Sequence, residues 1–473
     1  MITLNRNAPE TLYQQLFNYF KEGIVHGDLK PGSRLPASRV LADELQISRT
    51  SVVSAYSALE NAGLIVSRKR RGLFVADTLP ILAAEWMLTD GDFIPSDVSA
   101  VPNSPAYPSL ISLSIGSLPV EFMPVDAMHQ ALDTVLNRDA GAALGYEPTE
   151  GYRPLRQAIA EQLHSHGMSV KTDQILVTGG CQQAIDLAVQ SLVPENGVIL
   201  TTDPTYIGLI DIARTRRLEL VTISWTEEGI DLNALEEVIQ DRHPHLLYLM
   251  TSYHNPTGAV LSMLQRRQLL RLASTYQLPI LEDGVYDDLA YEGTILPSLR
   301  ALDETGIVLY ASGFSKTVVP GTRIGYLISS EAFYKRVSRV KQAADLCTPS
   351  LNQRAMTELL CNGQLVAHLE RVRHLCKRRR DALILALNNC AGHHWQWGIP
   401  NGGLFIWVKL PVTGPTAAQL LEKAADYGVD FALGTSFSPT SQWPYHLRLN
   451  FTSYSPPILE EGIRRLWSAW LAC

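Results

Sequence analysis

Residues 311–326 read ASGFSKTVVPGTRIGY, which sets two hydroxyls (Ser312 and Ser315), an amine (Lys316) and a guanidinium (Arg323) in one loop after the apolar run IVLY. Hydroxyls and a guanidinium suit a phosphate, and an amine suits imine chemistry with a carbonyl compound. Alone, a lysine in such a loop is a surface residue. Its meaning depends on what the rest of the chain brings beside it.

Four other pieces bear on the same task. TGGCQQAID (178–186) follows a strand and opens a helix, so the Gly180 and Cys181 N–H groups and the Gln182 amide can meet a phosphate at the helix N-terminus. YHNPTG (253–258) puts Asn255 in a turn at the carboxyl end of the strand LLYLM, where ligands collect in parallel sheets. PILEDGVYDDL (279–289) ends a buried strand on Asp283, a carboxylate that needs a partner; a protonated pyridine nitrogen would serve. HLRLNF (446–451) sets Arg448 in an apolar strand, where bidentate carboxylate binding is a natural role and a structural ion pair is the alternative. Each piece alone also has a plain reading as a turn or an ion pair; only their combination points to one site.

In this order and spacing the five pieces resemble fold-type I aminotransferases over roughly residues 110–470. The resemblance implies pyridoxal 5'-phosphate held as an imine on Lys316, with Asp283 keeping the pyridine nitrogen protonated so that the ring acts as an electron sink. It further implies that Asn255 and Tyr286 hydrogen-bond the phenolic oxygen and that Tyr206, in DPTY, stacks on the ring. Lys316, Asp283 and Tyr286 are the expected catalytic set. Gly180, Cys181, Gln182, Ser312, Ser315 and Arg323 would cup the phosphate, with Tyr146 in LGYEPTEGYRPLR reaching it from the neighbouring subunit of a homodimer. Arg448 would take an amino-acid carboxylate, with Gly116 of LSIGSLP on the substrate side. Two departures stand out: the family carries Ser or Thr three residues before the lysine, where this chain has Gly313 with Ser312 one residue earlier, and Cys181 replaces a smaller residue.

Outward from these motifs, short apolar strands alternate with stretches of helical length, which predicts a mainly parallel sheet covered by helices over about 110–330. The tail, about 331–473, predicts a smaller α+β lobe built from GGLFIWVKL, HLRLNF and a helix at 416–427. Upstream, Pro80, Pro95, Pro102, Pro105 and Pro108 mark 78–109 as an interdomain linker.

Residues 1–77 form a separate head. Leu12, Leu16, Tyr19, Phe20 and Ile24 recur at helical spacing until GDLKPGSRLP breaks the pattern. Ser38 is expected to cap a second helix burying Val40, Leu41 and Leu45. Ser48 is expected to cap a third whose inner face is Val52, Ala55, Tyr56 and Leu59, leaving Arg49, Thr50, Ser54 and Ser57 outside. Two short strands, from Leu64 and from Leu73, flank the basic run Arg68, Lys69, Arg70 and Arg71. This is a helix-turn-helix with a basic wing. Arg49 can reach guanine acceptors in a major groove, and Thr50 or Ser51 can meet phosphate. The wing adds contacts that weaken with salt. A protein-binding module with a solvated basic turn is the plain alternative.

Residues 12–75 closely resemble the winged helix-turn-helix of GntR regulators. That resemblance implies DNA contacts by Ser38, Arg39, Ser48, Arg49, Thr50 and Ser51, and by Arg71 and Gly72 of the wing. The fusion of such a head to an aminotransferase-like domain resembles the MocR group of bacterial regulators. It implies a cytoplasmic homodimer on double-stranded DNA that senses pyridoxal phosphate or an amino compound. A working aminotransferase with a DNA-binding head, and an interaction module that has lost the cofactor, are the competing readings.

Composition agrees with this division. The net charge is -7, yet residues 1–77 hold 10 Lys or Arg against 7 Asp or Glu, so the head is +3 and the remainder -10. The six cysteines, at 181, 347, 361, 376, 390 and 473, lack zinc spacing, so no metal is expected and reduced thiols fit. Met1 is followed by a mixed stretch with an early Arg6, not by an apolar run with a cleavage site, and no run is long enough to span a bilayer, so neither export nor a membrane is expected.

Overall fold

The computed structural model of the chain describes residues 4, 11–25, 27–68, 71–76, 110–165, 167–226 and 229–473. They belong to two compact units, Met1–Asp92 and Phe93–Cys473. The expected linker and the wing residues Lys69 and Arg70 lie outside the described residues.

The first unit comprises helices α1 (Leu12–Val25), α2 (Ser38–Leu45) and α3 (Arg49–Asn61) and strands β1 (Ile65–Arg68) and β2 (Gly72–Val75). Leu16, Phe20 and Ile24 of α1 pack with Leu41 and with Val52, Ala55, Tyr56 and Leu59, the face expected of α3. Ser48 caps α3, its Oγ accepting from the Ser51 N–H at 3.0 Å. The cap of α2 differs from expectation. Ser38 is already helical, so the cap position falls on Ala37, which has extended backbone and no side-chain bond. Val40 is 51% exposed, because the inward stripe of α2 runs through Leu41 and Ala42; Tyr19 is likewise turned outward. β1 and β2 pair antiparallel with Arg68 opposite Gly72. Residues 32–35 add a third edge, with the Leu35 N–H donating to the Leu73 carbonyl at 2.9 Å. Gly72 has φ +109, and a Cβ there would lie 3.2 Å from Arg34 Nε, so the wing turn calls for glycine.

The second unit begins with β3 (Ile111–Ser112) and continues with β4 (Ile175–Thr178), β5 (Val198–Asp203), β6 (Glu219–Thr226), β7 (Gly229–Ile230), β8 (Leu246–Leu249), β9 (Ile280–Asp283), β10 (Val308–Gly313) and β11 (Gly325–Ile328). β4 to β11 form one sheet in the order β4, β11, β10, β9, β8, β5, β6, β7. β11 runs antiparallel to β4 and β10, and β7 to β6; the remaining pairs are parallel. Strand alternation divides the core. Tyr248, Leu281, Leu309 and Ala311 face helix Cys181–Leu192, whereas Leu247, Leu249, Ile280 and Val308 face the other side.

The smaller lobe holds β12 (Gln396–Trp397), β13 (Phe405–Lys409), β14 (Val429–Asp430), β15 (Ala432–Leu433) and β16 (His446–Asn450), with a sheet in the order β12, β13, β16, β15. The expected helix at 416–427 is Ala417–Asp426, capped by Thr416 in a capping box with Gln419. One boundary needs correction: β14 pairs in parallel with β3, and the Ser112 hydroxyl donates to Asp430 at 2.6 Å. The first residues of this unit therefore belong to the small lobe, not to the large part that runs to about 330. Among the described residues, no helix is long and apolar enough to cross a membrane.

Candidate functional site

Because β4, β5, β8, β9 and β10 point the same way, their carboxyl ends open on one edge of the sheet. Each end carries one motif: Gly180 and Cys181 after β4, Tyr206 after β5, Asn255 after β8, Asp283 on the last residue of β9, and Ser315 and Lys316 after β10. Arg448 enters from β16 and Gly116 from the segment after β3. Together with Gln182, Tyr286 and Arg323, all of these except Gly180 line a cavity of about 270 Å³.

At the floor, Asp283 is 3% exposed. Its carboxylate accepts from the Tyr248 hydroxyl at 2.8 Å, the Val285 N–H at 3.1 Å and the Cys181 thiol at 3.4 Å. Burial pushes its pKa up, and these three donors pull against that shift. A carboxylate so enclosed and so held suits a cationic partner delivered to it. Burial likewise pushes the Lys316 amine down to about 8, helped by the charges of Arg448 and Arg323. This amine donates to the Gly116 carbonyl at 2.5 Å.

Arg448 is also 3% exposed. Its Nη1 donates to Asn255 Oδ1 at 2.8 Å and its Nη2 to the Ser114 carbonyl, but its Nε is buried with no partner among the described residues. The guanidinium carbon lies 3.9 Å from the Phe405 ring centroid and 4.7 Å from that of Phe437. Burial lowers its pKa to about 10. A buried guanidinium whose bonds go to neutral oxygens, with its Nε–H unspent, can receive a carboxylate.

The opposite end is made of backbone. A Cβ on Gly180, where φ is +97, would lie 2.6 Å from Arg323 Nη2, and one on Gly325 would lie 2.4 Å from the Gly180 carbonyl carbon. This close approach brings the N-terminus of helix Cys181–Leu192 against Arg323, whose Nη1 donates to Ser315 Oγ at 3.4 Å and Nη2 to the Gly179 carbonyl at 3.2 Å. Helix N–H groups, a hydroxyl and a guanidinium form the donor set of a phosphate site.

Other expected residues sit differently. Gln182 Nε2 donates to the Gly208 carbonyl at 3.0 Å, and its Oε1 accepts from the Tyr206 hydroxyl at 2.9 Å, so its amide fixes Tyr206. Ser312 does not line the cavity: alternation along β10 turns it to the face opposite Ala311, where it donates to the Gly284 carbonyl at 3.2 Å. Tyr146 is 91% exposed and stands outside its own chain's cavity. Tyr286 lines the cavity and meets Phe405 edge to face at 6.0 Å. In the head, Arg39, Ser48, Arg49, Thr50, Arg71 and Gly72 are exposed and Ser38 and Ser51 half-buried. The Ser48 and Ser51 hydroxyls lie 2.9 Å apart, and the Arg68 guanidinium lies over the Phe74 ring at 4.9 Å. Two residues of the cavity region escaped the motifs. Tyr248 reads as one more apolar residue in LLYLM, and Phe405 as core in GGLFIWVKL; a tyrosine hydroxyl inside a buried strand was the available signal, since it must find a partner.

Residues 108–466 match the model of aminotransferase class I and II, and residues 12–75 match that of bacterial regulatory proteins, gntR family. YisV of Bacillus subtilis, described as an uncharacterized HTH-type transcriptional regulator, is 33% identical over 86% of this chain and 87% of its own. YdfD of the same organism, described likewise, is 30% identical over 96% and 95%. The crystal structure of LysN, the alpha-aminoadipate aminotransferase of Thermus thermophilus, complexed with N-(5'-phosphopyridoxyl)-L-leucine, superposes with a TM-score of 0.73 at 33% identity, covering 77% of this chain and 93% of that one.

Proposed function

The chain belongs to the class I and II aminotransferase family and carries a gntR-family helix-turn-helix head, and from that premise we propose that it is a transcription regulator that binds double-stranded DNA through α3 and the wing and senses pyridoxal phosphate or an amino compound at Lys316. The observation that carries the sensing half is the enclosure of Lys316, Asp283 and Arg448 around one cavity.

Pyridoxal phosphate, when bound, supplies an aldehyde to an amine and an electron-withdrawing ring. The chain's own residues fit it. Lys316, with its amine near 8, keeps a neutral, nucleophilic fraction close to physiological pH. Asp283 offers its carboxylate to a ring N–H, braced by Tyr248. Ser315, Arg323 and the helix at Cys181 offer donors to phosphate. Asn255, bound to Arg448, links the ring side to the carboxylate side. The unspent Nε of Arg448 favours an effector with a carboxylate beside its amine. A homodimer would bring two heads to two half-sites, as expected of a bacterial cytoplasmic regulator.

A second reading, a working aminotransferase with a DNA-binding head, draws support from the likeness to the Thermus enzyme. Multiple turnover of an amino donor with a keto acid at ordinary enzymatic rates would favour it over sensing alone. For the sensor we expect Lys316→Ala to lose the imine absorption band completely, and operator affinity to lose its response to pyridoxal phosphate and amines while basal binding stays. A wild type without that band, or a variant that still responds, would sink the proposal.

A further inference from the structure

Lys341, on helix Glu331–Asp345, is 0% exposed and outside the cavity. A lysine that deep must be held by charge and hydrogen bonds, and its ammonium donates to both carboxylate oxygens of Asp345, at 2.7 and 2.8 Å, and to Thr348 Oγ1 at 3.1 Å. The Thr348 hydroxyl donates onward to the Val177 carbonyl of β4 at 3.3 Å. The same Asp345 carboxylate accepts from Gln183 Nε2 at 2.8 Å, and Gln183 Oε1 accepts from the Gly179 N–H at 2.6 Å. Gly179 is the first residue after β4, and its carbonyl accepts from Arg323 Nη2 at 3.2 Å.

Every bond in this chain has a fixed sense. An amide is a donor at one end and an acceptor at the other, and a carboxylate only accepts. Asp345, anchored by Lys341, therefore forces Gln183 to turn its nitrogen outward and its oxygen toward Gly179. Gly179 is then held through both of its peptide bonds, by Gln183 at its N–H and by Arg323 at its carbonyl. Gln183 does not line the cavity, so whatever it does for a ligand it does through Gly179 and Arg323.

We propose that Gln183, oriented by the Lys341 and Asp345 pair, is a positioning residue for the phosphate end of the cavity, holding Gly179 and through its carbonyl Arg323 at the place where a phosphate is received. The inference rests on the reading of the cavity as a pyridoxal phosphate site. It ties the phosphate loop to the helix that leads from the large sheet into the small lobe, a link that neither the loop motif nor the lysine motif contains.

The test compares pyridoxal phosphate with pyridoxal, which lacks the phosphate, on the full chain, following the imine band. In Gln183→Leu the dissociation constant for pyridoxal phosphate should rise about tenfold while that for pyridoxal stays within about twofold, the scale of one charge-assisted hydrogen bond relayed to the ligand. Gln183→Met, close in volume and leaving the Lys341 and Asp345 pair intact, should shift the same ratio by a similar factor, because it too lacks the amide that holds Gly179; it carries the test if the first variant folds poorly. An unchanged ratio in both variants, or equal weakening of both aldehydes as a merely structural defect would give, overturns the role of Gln183 while leaving the cofactor reading intact. A wild type that forms no band with either aldehyde overturns both.

Discussion

Arg49 and Thr50 at the start of α3 stand in water, and their neighbour Ser48 spends its hydroxyl locally on Ser51. Asp283 and Arg448 are almost wholly enclosed and already engage several groups of their own unit. The difference follows from what each region would meet. A surface offered to a large polyanion keeps its charge hydrated until contact, so its residues hardly affect the fold. A cavity for a small ligand must satisfy buried charges beforehand, so its residues constrain one another. Substitutions in α3 should therefore act singly, and those in the cavity should spread to neighbours.

The largest test of that contrast is Arg448→Leu. Affinity for amino acids should fall about 100-fold, while amines without a carboxylate lose little, the difference being one bidentate pair. The change should also travel to Lys316. The positive charge of Arg448 helps hold that amine down at about 8, so in wild type the rate of pyridoxal phosphate capture should rise with pH as the ammonium deprotonates and level off above about 8. In the variant the midpoint should move to higher pH. A profile that stays put would show the two groups to be uncoupled and break the comparison from the cavity side. Next in size, Arg49→Ala should weaken specific operator binding about tenfold, the scale of a base contact, with the imine band and its pH profile unmoved; unchanged operator affinity would remove Arg49 from the DNA surface. The smallest effect is Ser48→Ala. Loss of the cap should cost about 1 kcal/mol of head stability in thermal unfolding, and a loss confined to the head would sharpen the picture of residues acting locally.

How far the sequence reveals these features depends on the kind of residue. The inner face of α3 follows from helical phase, and the motif residues at the ends of β4, β5, β8, β9 and β10 follow from turns and strands that local pattern marks. Val40 failed because one residue on a short helix turns the side chain by about 100°. Ser312 failed through a rule within reach: counting by twos from Ala311 puts it on the far face. Glu282 and Asp283 teach the same lesson, since adjacent carboxylates on β9 serve opposite faces, Glu282 accepting from the Leu299 and Arg300 N–H groups while Asp283 faces the cavity. Tyr248 and Gln183 were out of reach for another reason. Their partners come from strands and helices far along the chain, and only the order of the sheet brings them together.

The segment after β3 sends the Ser114 carbonyl to Arg448 and the Gly116 carbonyl to Lys316. One short stretch of backbone thus engages both the guanidinium and the amine that face the cavity. Occupancy is an exchange, not an addition: a ligand must evict a tethered competitor whose local concentration never dilutes, and its apparent affinity reports the difference between two sets of bonds. We expect a site of this kind to trade tightness for reversibility, with the freedom of residues 114–116 rising as the cavity fills.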